Sequence, residues 1–303
     1  MYNDKMIIKM ERMIELKKVV LFTMVVFILT GLLAGCGSKS SNDTEKNPNS
    51  AQKQEDFLLS VSKNDSLAAL LPDNIKSSGK IMIGLDDSYP PMEYRDDKNN
   101  LVGFDIDLGN AIGKKLGVNI EWVPTAWDGI LPALKAKKFD MILSALSITD
   151  ERKKEIAFSE PYISGGPIII TKKENSSVSG VDAIKGKVVG VQLGSTGEVA
   201  TEKTGVTKEI KKYDKITEAF MDLAAGRIDA LVADDQVGRY YMGLEEGKYV
   251  SPGKLMEEPF GIGFRKEDEK LKEAVQKAID ELKADGTLSK ISLKWFKTDY
   301  YSK

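Results

Sequence analysis

Arg152 sits where a strand pattern gives way to a helix pattern, in the run FDMILSALSITDERKKEIAFSEPY from Phe139 to Tyr162. Met141, Ile142 and Leu143 read as a buried strand. Small residues follow, Ser144, Ala145 and Ser147, and then Thr149, Asp150 and Glu151, the pattern of a capped helix start. Backbone N–H groups at such a start, beside a guanidinium with parallel donors, suit a small anion such as a carboxylate. The plainer alternative is a surface arginine beside two acids on a solvated helix.

Other clusters fall at the same kind of place. Gln192-Leu193-Gly194-Ser195-Thr196-Gly197 follows the strand pattern Lys187–Val191 and leads into a helix near Glu198. Asp234 and Asp235 follow the strand pattern Ile228–Val232. Arg152 offers a cation, Ser195 and Thr196 offer N–H donors at a helix start, and Asp234 offers an anion. That set complements a zwitterion, carboxylate to Arg152 and ammonium to Asp234, and an α-amino acid is the common solute of this kind. Asp235 competes with Asp234 for the role, because strand alternation turns one of them to a cleft and the other away.

The elements that must position these residues alternate strand and helix, which predicts an α/β fold with largely parallel pairing. Lys80–Leu85 and Asn119–Val123 read as strands. Helix patterns cover Asp105 to Leu116, ending at Gly117, and Trp127 to Ala136, with Pro132 in its first turn. A second series begins after Pro167: a strand at Ile168–Thr171, a helix from Ile216 to Ala225, a strand at Gly261–Phe264, and helices at Lys270–Ala284 and Leu288–Phe296. Two such lobes would hold a ligand between them, at the carboxyl ends of their strands.

Composition narrows the chemistry. The chain has 303 residues, with 42% hydrophobic and 30% charged, enough for about two domains. Its 44 Lys and Arg are matched by 46 Asp and Glu, which argues against a nucleic-acid partner. It has no histidine and 1 cysteine. Nucleophiles activated by histidine, cysteine-rich zinc sites and intrachain disulfides are therefore excluded, and no cofactor or metal is expected.

The cysteine has its own context. Lys5, Lys9, Arg12, Lys17 and Lys18 precede the apolar run VVLFTMVVFILTGLLAG, which closes on Leu33-Ala34-Gly35-Cys36. This reads as a signal peptide over residues 1–35, and the last four residues resemble the lipobox of bacterial lipoproteins, in which the cysteine is lipidated. The alternative is an uncleaved membrane anchor that contains a cysteine. Residues 36–72 read as a flexible tether, polar up to about Lys63, with a short docking helix at Leu67–Leu71.

Taken in order, IGLDDSYPPMEY, LVGFDIDLGNAIGKKLG, WDGILPALKAKKFD, SALSITDERKKEIAFSEPY, KGKVVGVQLGST, LAAGRIDALVADD and DGTLSKISLKWF resemble the amino-acid-binding proteins of ABC importers, in the polar amino-acid branch of the periplasmic type. The resemblance covers about Lys76 to Phe296. It implies a two-lobed periplasmic-binding-protein fold, each lobe a mostly parallel sheet flanked by helices, the lobes joined by two crossing strands. The expected division is 73–166 for the first lobe, 167–259 for the second, and 260–303 returning to the first.

The same resemblance implies residue roles. Tyr89 and Trp127 would sandwich the ligand side chain. Ser144 and Ser147 would meet the ammonium, and the Ser147 N–H the carboxylate. Arg152 and Thr196, with Ser195 beside it, would hold the carboxylate, and Asp234 the ammonium. Asp86 matches a position that meets the side-chain terminus in lysine/arginine/ornithine- and histidine-binding members, whereas Ala145 stands where those have a second serine. Structural alternatives accompany these roles. Tyr89 and Trp127 would also suit a core, Asp86 and Asp87 a turn before Tyr89-Pro90-Pro91, and Phe104-Asp105-Ile106-Asp107 a helix cap.

The expectation is a monomeric, lipid-anchored protein facing outward that captures a free polar amino acid for a membrane permease, with Asp86 favouring a basic one. A cystine- or glutamine-type ligand is the alternative in the same role. An enzyme resembling cyclohexadienyl dehydratase, with Glu93 as general acid, is the alternative of another class. A ligand-sensing domain is a third reading.

Overall fold

The computed structural model describes residue 58 and residues 60–175 and 177–302. The predicted signal peptide, Cys36 and most of the predicted tether lie outside the described residues. The polypeptide packs onto the first lobe well before residue 72, where the tether was expected to end. Asn64 caps α1 (Asp65–Ala68) by accepting from the Ser66 and Leu67 N–H groups. Val61, Leu67 and Leu71 join Ile75 of α2 (Asp73–Ser78) in the main apolar core. The apolar residues spaced through this segment have a face to bury, so they dock.

The first sheet is built on β1 (Lys80–Leu85), whose Ile81, Ile83 and Leu85 are fully buried. A small antiparallel sheet follows: β2 (Ser88–Tyr89), β3 (Glu93–Arg95) and β4 (Leu101–Val102). Helix α3 (Phe104–Leu116) stops at Gly117, whose φ of 69° is the left-handed conformation that ends helices. After it come β5 (Asn119–Pro124), a 3-10 turn at Trp127–Gly129, α4 (Ile130–Lys135) and β6 (Met141–Ile142). The short helix α5 (Asp150–Glu155) leads to β7 (Ala157–Phe158).

Crossing strand β8 (Ile163–Gly165) carries the polypeptide out and β14 (Glu258–Phe260) brings it back, paired antiparallel. Between them lies the second lobe: β9 (Pro167–Lys172), β10 (Val188–Gln192), α6 (Thr196–Thr204), β11 (Glu209–Tyr213), α7 (Ile216–Ala225), β12 (Ala230–Asp234), α8 (Asp235–Leu244) and β13 (Tyr249–Lys254). On return, β15 (Gly263–Phe264) enters the first sheet, and α9 (Glu269–Ala284) and α10 (Thr287–Phe296) cover it. Leu271, Ala274, Val275, Ala278, Ile279 and Leu282 form the buried stripe of α9 at helical spacing.

The sheets run β5-β1-β6-β15-β7 and β11-β10-β12-β9-β13. They are mixed rather than mostly parallel. β5, β1 and β6 are parallel, as are β11, β10 and β12, but β15 and β9 lie antiparallel to both their neighbours. The cause is the linkage: parallel neighbours need a crossover, whereas β9 and β15 arrive directly from the crossing strands. Strand β13 had no sequence signal because it contains Pro252 and Gly253. It lies at a sheet edge with an irregular register between Val250 and Gly253, where proline is tolerated. Among the described residues, no helix is long and apolar enough to cross a membrane.

Candidate functional site

A cavity between the lobes is walled by Tyr89, Trp127, Ser144, Ala145, Ser147, Arg152, Ser195, Thr196 and Asp234, together with Glu93 and Gln192. It holds about 280 Å³ of atom-free space, including some that is open to solvent. The walls are drawn close because side chains of the two lobes bond to one another across it. The Tyr89 hydroxyl donates to Asp234 Oδ2 at 2.7 Å, and Gln192 Nε2 donates to Asp86 Oδ2 at 2.6 Å. Trp127 Nε1 and Arg152 Nη2 both donate to the Gly194 carbonyl, at 3.2 and 3.4 Å. The Ser147 and Thr196 hydroxyls lie 3.5 Å apart.

Local sequence explains each position. Thr149 caps α5 by accepting from the Arg152 N–H at 3.2 Å, and Arg152 Nη1 folds back onto the Ser147 carbonyl at 3.0 Å. The guanidinium carbon lies 5.4 Å from the Trp127 ring centroid, a cation–π contact that helps to hold it. Helix α5 spans six residues, so the anion-binding capacity here rests on the guanidinium more than on a helix terminus. In the second lobe Ser195 caps α6, accepting from Glu198 N at 3.0 Å, while Glu198 Oε2 accepts from Gly194 N at 2.6 Å. Both acceptors are used on the loop itself. The first-turn N–H groups of Thr196 and Gly197 have no intrahelical acceptor.

The choice between the neighbouring aspartates is decided by the end of β12. Asp234 is its last residue, 8% exposed and on the cavity wall, while Asp235 opens α8 and pairs with Arg239 at 2.8 Å. Burial pushes the Asp234 carboxyl up to about 7, and the hydrogen bond from Tyr89 partly offsets this. Tyr89 and Trp127, which sequence left open as core aromatics, both border the cavity.

Asp86 is placed differently from the expectation. It is buried behind the wall, and its carboxylate is occupied: Oδ1 accepts from the Ser88 N–H and hydroxyl at 3.0 and 2.6 Å, and Oδ2 from Gln192. The Asp-Ser turn predicted as the structural alternative forms, and Gln192 closes over it. Glu93 takes the place at the wall. Asp105, read from sequence as part of a helix cap, is instead fully buried, with Oδ2 accepting from the Ala145 N–H at 2.7 Å and the Tyr162 hydroxyl at 3.0 Å. Ala145 has φ 43°, an uncommon conformation for a residue with a Cβ, and the Asp105 bond holds it there.

Glu93 and Asp105 meet because of Gly103. A Cβ on Gly103, at φ 144°, would stand 2.1 Å from the Met92 carbonyl oxygen. Without one, the start of α3 lies directly on the strand before it, with Phe104 N donating to Pro91 O at 3.0 Å and Asp105 N to Met92 O at 2.9 Å. Glu93 is then fully buried and accepts the Ser144 hydroxyl at 2.7 Å, next to the Ala145 N–H that holds Asp105. From sequence Glu93 is either a general acid or a solvated residue after Tyr89-Pro90-Pro91, and Gln192 is not among the expected wall residues. Gln192 ends β10, so the rule that singled out Asp234 applied to it as well.

The chain is similar to known proteins in sequence and, for solved structures, in fold. The lysine/arginine/ornithine-binding periplasmic protein of Escherichia coli is 37% identical over 255 residues, 81% of this chain and 96% of that protein. The L-cystine-binding protein TcyJ of E. coli is 34% identical over 231 residues, 76% of this chain and 87% of that protein. An ancestral arginine-binding protein, solved with arginine and with glutamine, is 43% identical, with a TM-score of 0.69 in each case. These structures cover 72% and 73% of this chain, and the match takes in 98% and 99% of theirs. Residues 81–298 match one family over most of the chain, and this chain belongs to it: the bacterial extracellular solute-binding proteins, family 3.

Proposed function

We propose that this protein captures a polar L-amino acid outside the cell, with a cationic side chain preferred, and hands it to an ABC-importer permease. The observation that carries the reading is the cavity itself, where Arg152 and Asp234 stand on one wall system with Ser147, Ser195 and Thr196. The carboxylate goes to Arg152 and the N–H groups at the start of α6, the ammonium to Asp234, and the side chain between Tyr89 and Trp127. No bond is made or broken. The ligand replaces the lobe-to-lobe bonds at Asp234 and Gly194 with bonds to itself and so favours closure.

Charge supports the cationic preference. Among the described residues on the wall, Glu93 and Asp234 face Arg152, with Asp86 and Asp105 buried behind. A net-neutral zwitterion leaves the buried Glu93 carboxyl without a counter-charge, whereas a basic side chain directed at Glu93 pairs with its ionised form. Relatives named for lysine, arginine, ornithine and cystine agree with a polar ligand. The lipid anchor at Cys36, outward exposure and action as a monomer complete the reading and rest on the sequence.

A thermal-shift panel of the twenty amino acids plus ornithine and cystine, followed by calorimetry on the hits, tests it. Stabilisation by arginine, lysine or ornithine is expected, since a ligand at about 100 times its Kd adds about 2.7 kcal/mol. No shift with any of them would overturn the cationic preference. A buried carboxyl on the wall is also what a dehydratase would use as general acid. Product formed from prephenate or arogenate would place the chain among enzymes instead.

A further inference from the structure

The capture reading leaves the Glu93–Asp105 pair unexplained. Two fully buried carboxyl groups are held by consecutive residues, Glu93 by the Ser144 hydroxyl and Asp105 by the Ala145 N–H, and each keeps one buried oxygen with no donor. Two such oxygens satisfy each other only if one carboxyl carries a proton. The remaining bonds say which. Asp105 accepts two donors, the Ala145 N–H and the Tyr162 hydroxyl, whereas Glu93 accepts the Ser144 hydroxyl alone. The oxygens without a donor are Glu93 Oε2 and Asp105 Oδ1, one from each carboxyl. The better-solvated anion is Asp105, so Glu93 holds the proton and donates it.

Resting on the capture reading, we propose that Glu93 and Asp105 share one proton, and that a cationic ligand side chain reaching Glu93 expels it to solvent. The site then takes a cation on an ionised Glu93 and a neutral amide on a protonated one. The O–H bond of Glu93 breaks, its electron pair stays on the carboxylate, and the ligand cation replaces the proton as counter-charge. Asp105 keeps its bonds to Ala145 and Tyr162 throughout, so the backbone of the 144–147 loop need not move.

The surroundings fit this exchange. Burial and the charge of Asp105 push the Glu93 carboxyl well above the usual range, and Asp105 itself is raised to about 7 by burial. Asp86 adds to the negative potential at Glu93, and the Tyr89 and Tyr162 hydroxyls face the pair as neutral groups. Tyr301 lies behind, its hydroxyl donating to the Tyr162 carbonyl at 2.6 Å. Across the cavity stand Arg152 and Asp234, which meet the carboxylate and ammonium common to every α-amino acid. Asp234 also exchanges protons when a ligand binds, but equally for a cationic and a neutral ligand. The difference between two such ligands therefore isolates the pair.

The test is calorimetry of the whole chain with L-arginine and L-glutamine near pH 7, in phosphate and in Tris, whose ionisation enthalpies differ. Arginine should release about one more proton than glutamine, and its affinity should rise up to about tenfold per pH unit where the pair holds the proton. Infrared difference spectra should show a protonated-carboxyl band lost with arginine and kept with glutamine. Glu93→Gln should abolish the excess proton release and weaken arginine far more than glutamine. Asp105→Asn, whose amide can donate to an ionised Glu93, should bind arginine with no excess release. Arginine that binds with equal proton release to glutamine and leaves the band in place would overturn the proposal while capture stands. A chain that binds neither ligand, nor any other amino acid, would overturn capture and the proposal with it.

Discussion

Tyr89 and Asp234 hold each other across the cleft, hydroxyl to carboxylate at 2.7 Å, each belonging to a different lobe. One was expected to flank a ligand side chain and the other to bind an ammonium. In the structure the tyrosine satisfies the acid and ties the lobes together. Tyr89→Phe removes that bond and keeps the ring. Hydrogen bonds to charged groups contribute about 1.5–3 kcal/mol, so the ligand-free protein should open. Small-angle scattering should show a larger radius of gyration for the variant without ligand and an unchanged one with ligand. Equal radii without ligand would mean the bond does not hold the lobes.

Arg152→Lys keeps the positive charge but loses the planar fork and the stacking on Trp127. Calorimetry should show at least about tenfold weaker binding, and Arg152→Ala a loss of about 2–5 kcal/mol, because a buried ligand carboxylate then lacks its partner. An Arg152→Ala protein that still binds tightly would remove Arg152 from the site.

The buried acids give stability a pH dependence of unusual sign. Burial raises Asp234 to about 7 and Glu93 well above its usual range, against unfolded values near 4. Between those values the folded chain holds more protons than the unfolded one, so stability is greatest at the acid end and falls as pH rises toward about 7. The ligand-free melting temperature should therefore be higher at pH 5.5 than at pH 8, since Asp234 alone loses about 2 kcal/mol of stability over that range. Asp234→Asn should flatten part of the slope. A melting temperature that rises over this range would contradict the assignment.

Gly103→Ala places a methyl group 2.1 Å from the Met92 carbonyl oxygen and imposes φ 144° on a residue with a Cβ. The start of α3 must then lift from β3, parting Asp105 from Glu93. Urea unfolding should show a loss of at least about 2 kcal/mol, since overpacking and backbone strain add. A variant of unchanged stability would show that this approach is slack.

How much of this was legible beforehand depends on the kind of signal. Strand ends at Ser144, Gly194 and Asp234 were read correctly because β6, β10 and β12 carry compact apolar runs that end at small or acidic residues. Helices α7, α9 and α10 were bounded by glycines and a regular stripe. The antiparallel placement of β9 and β15 had no local signature. It follows from the crossing strands, whose partners lie far apart in sequence.

The sequence by itself determined the lobes' elements, the absence of histidine chemistry and the presence of a cation and an anion at strand ends, because these depend on residue type and short-range spacing. Tertiary structure decided which acids do what. Asp86 is taken by Ser88 and Gln192, Asp234 rather than Asp235 turns to the cavity, and Glu93 meets Asp105 through the missing side chain of Gly103. A carboxylate's role is set by which donors surround it and how far water is excluded, and those neighbours come from distant parts of the chain.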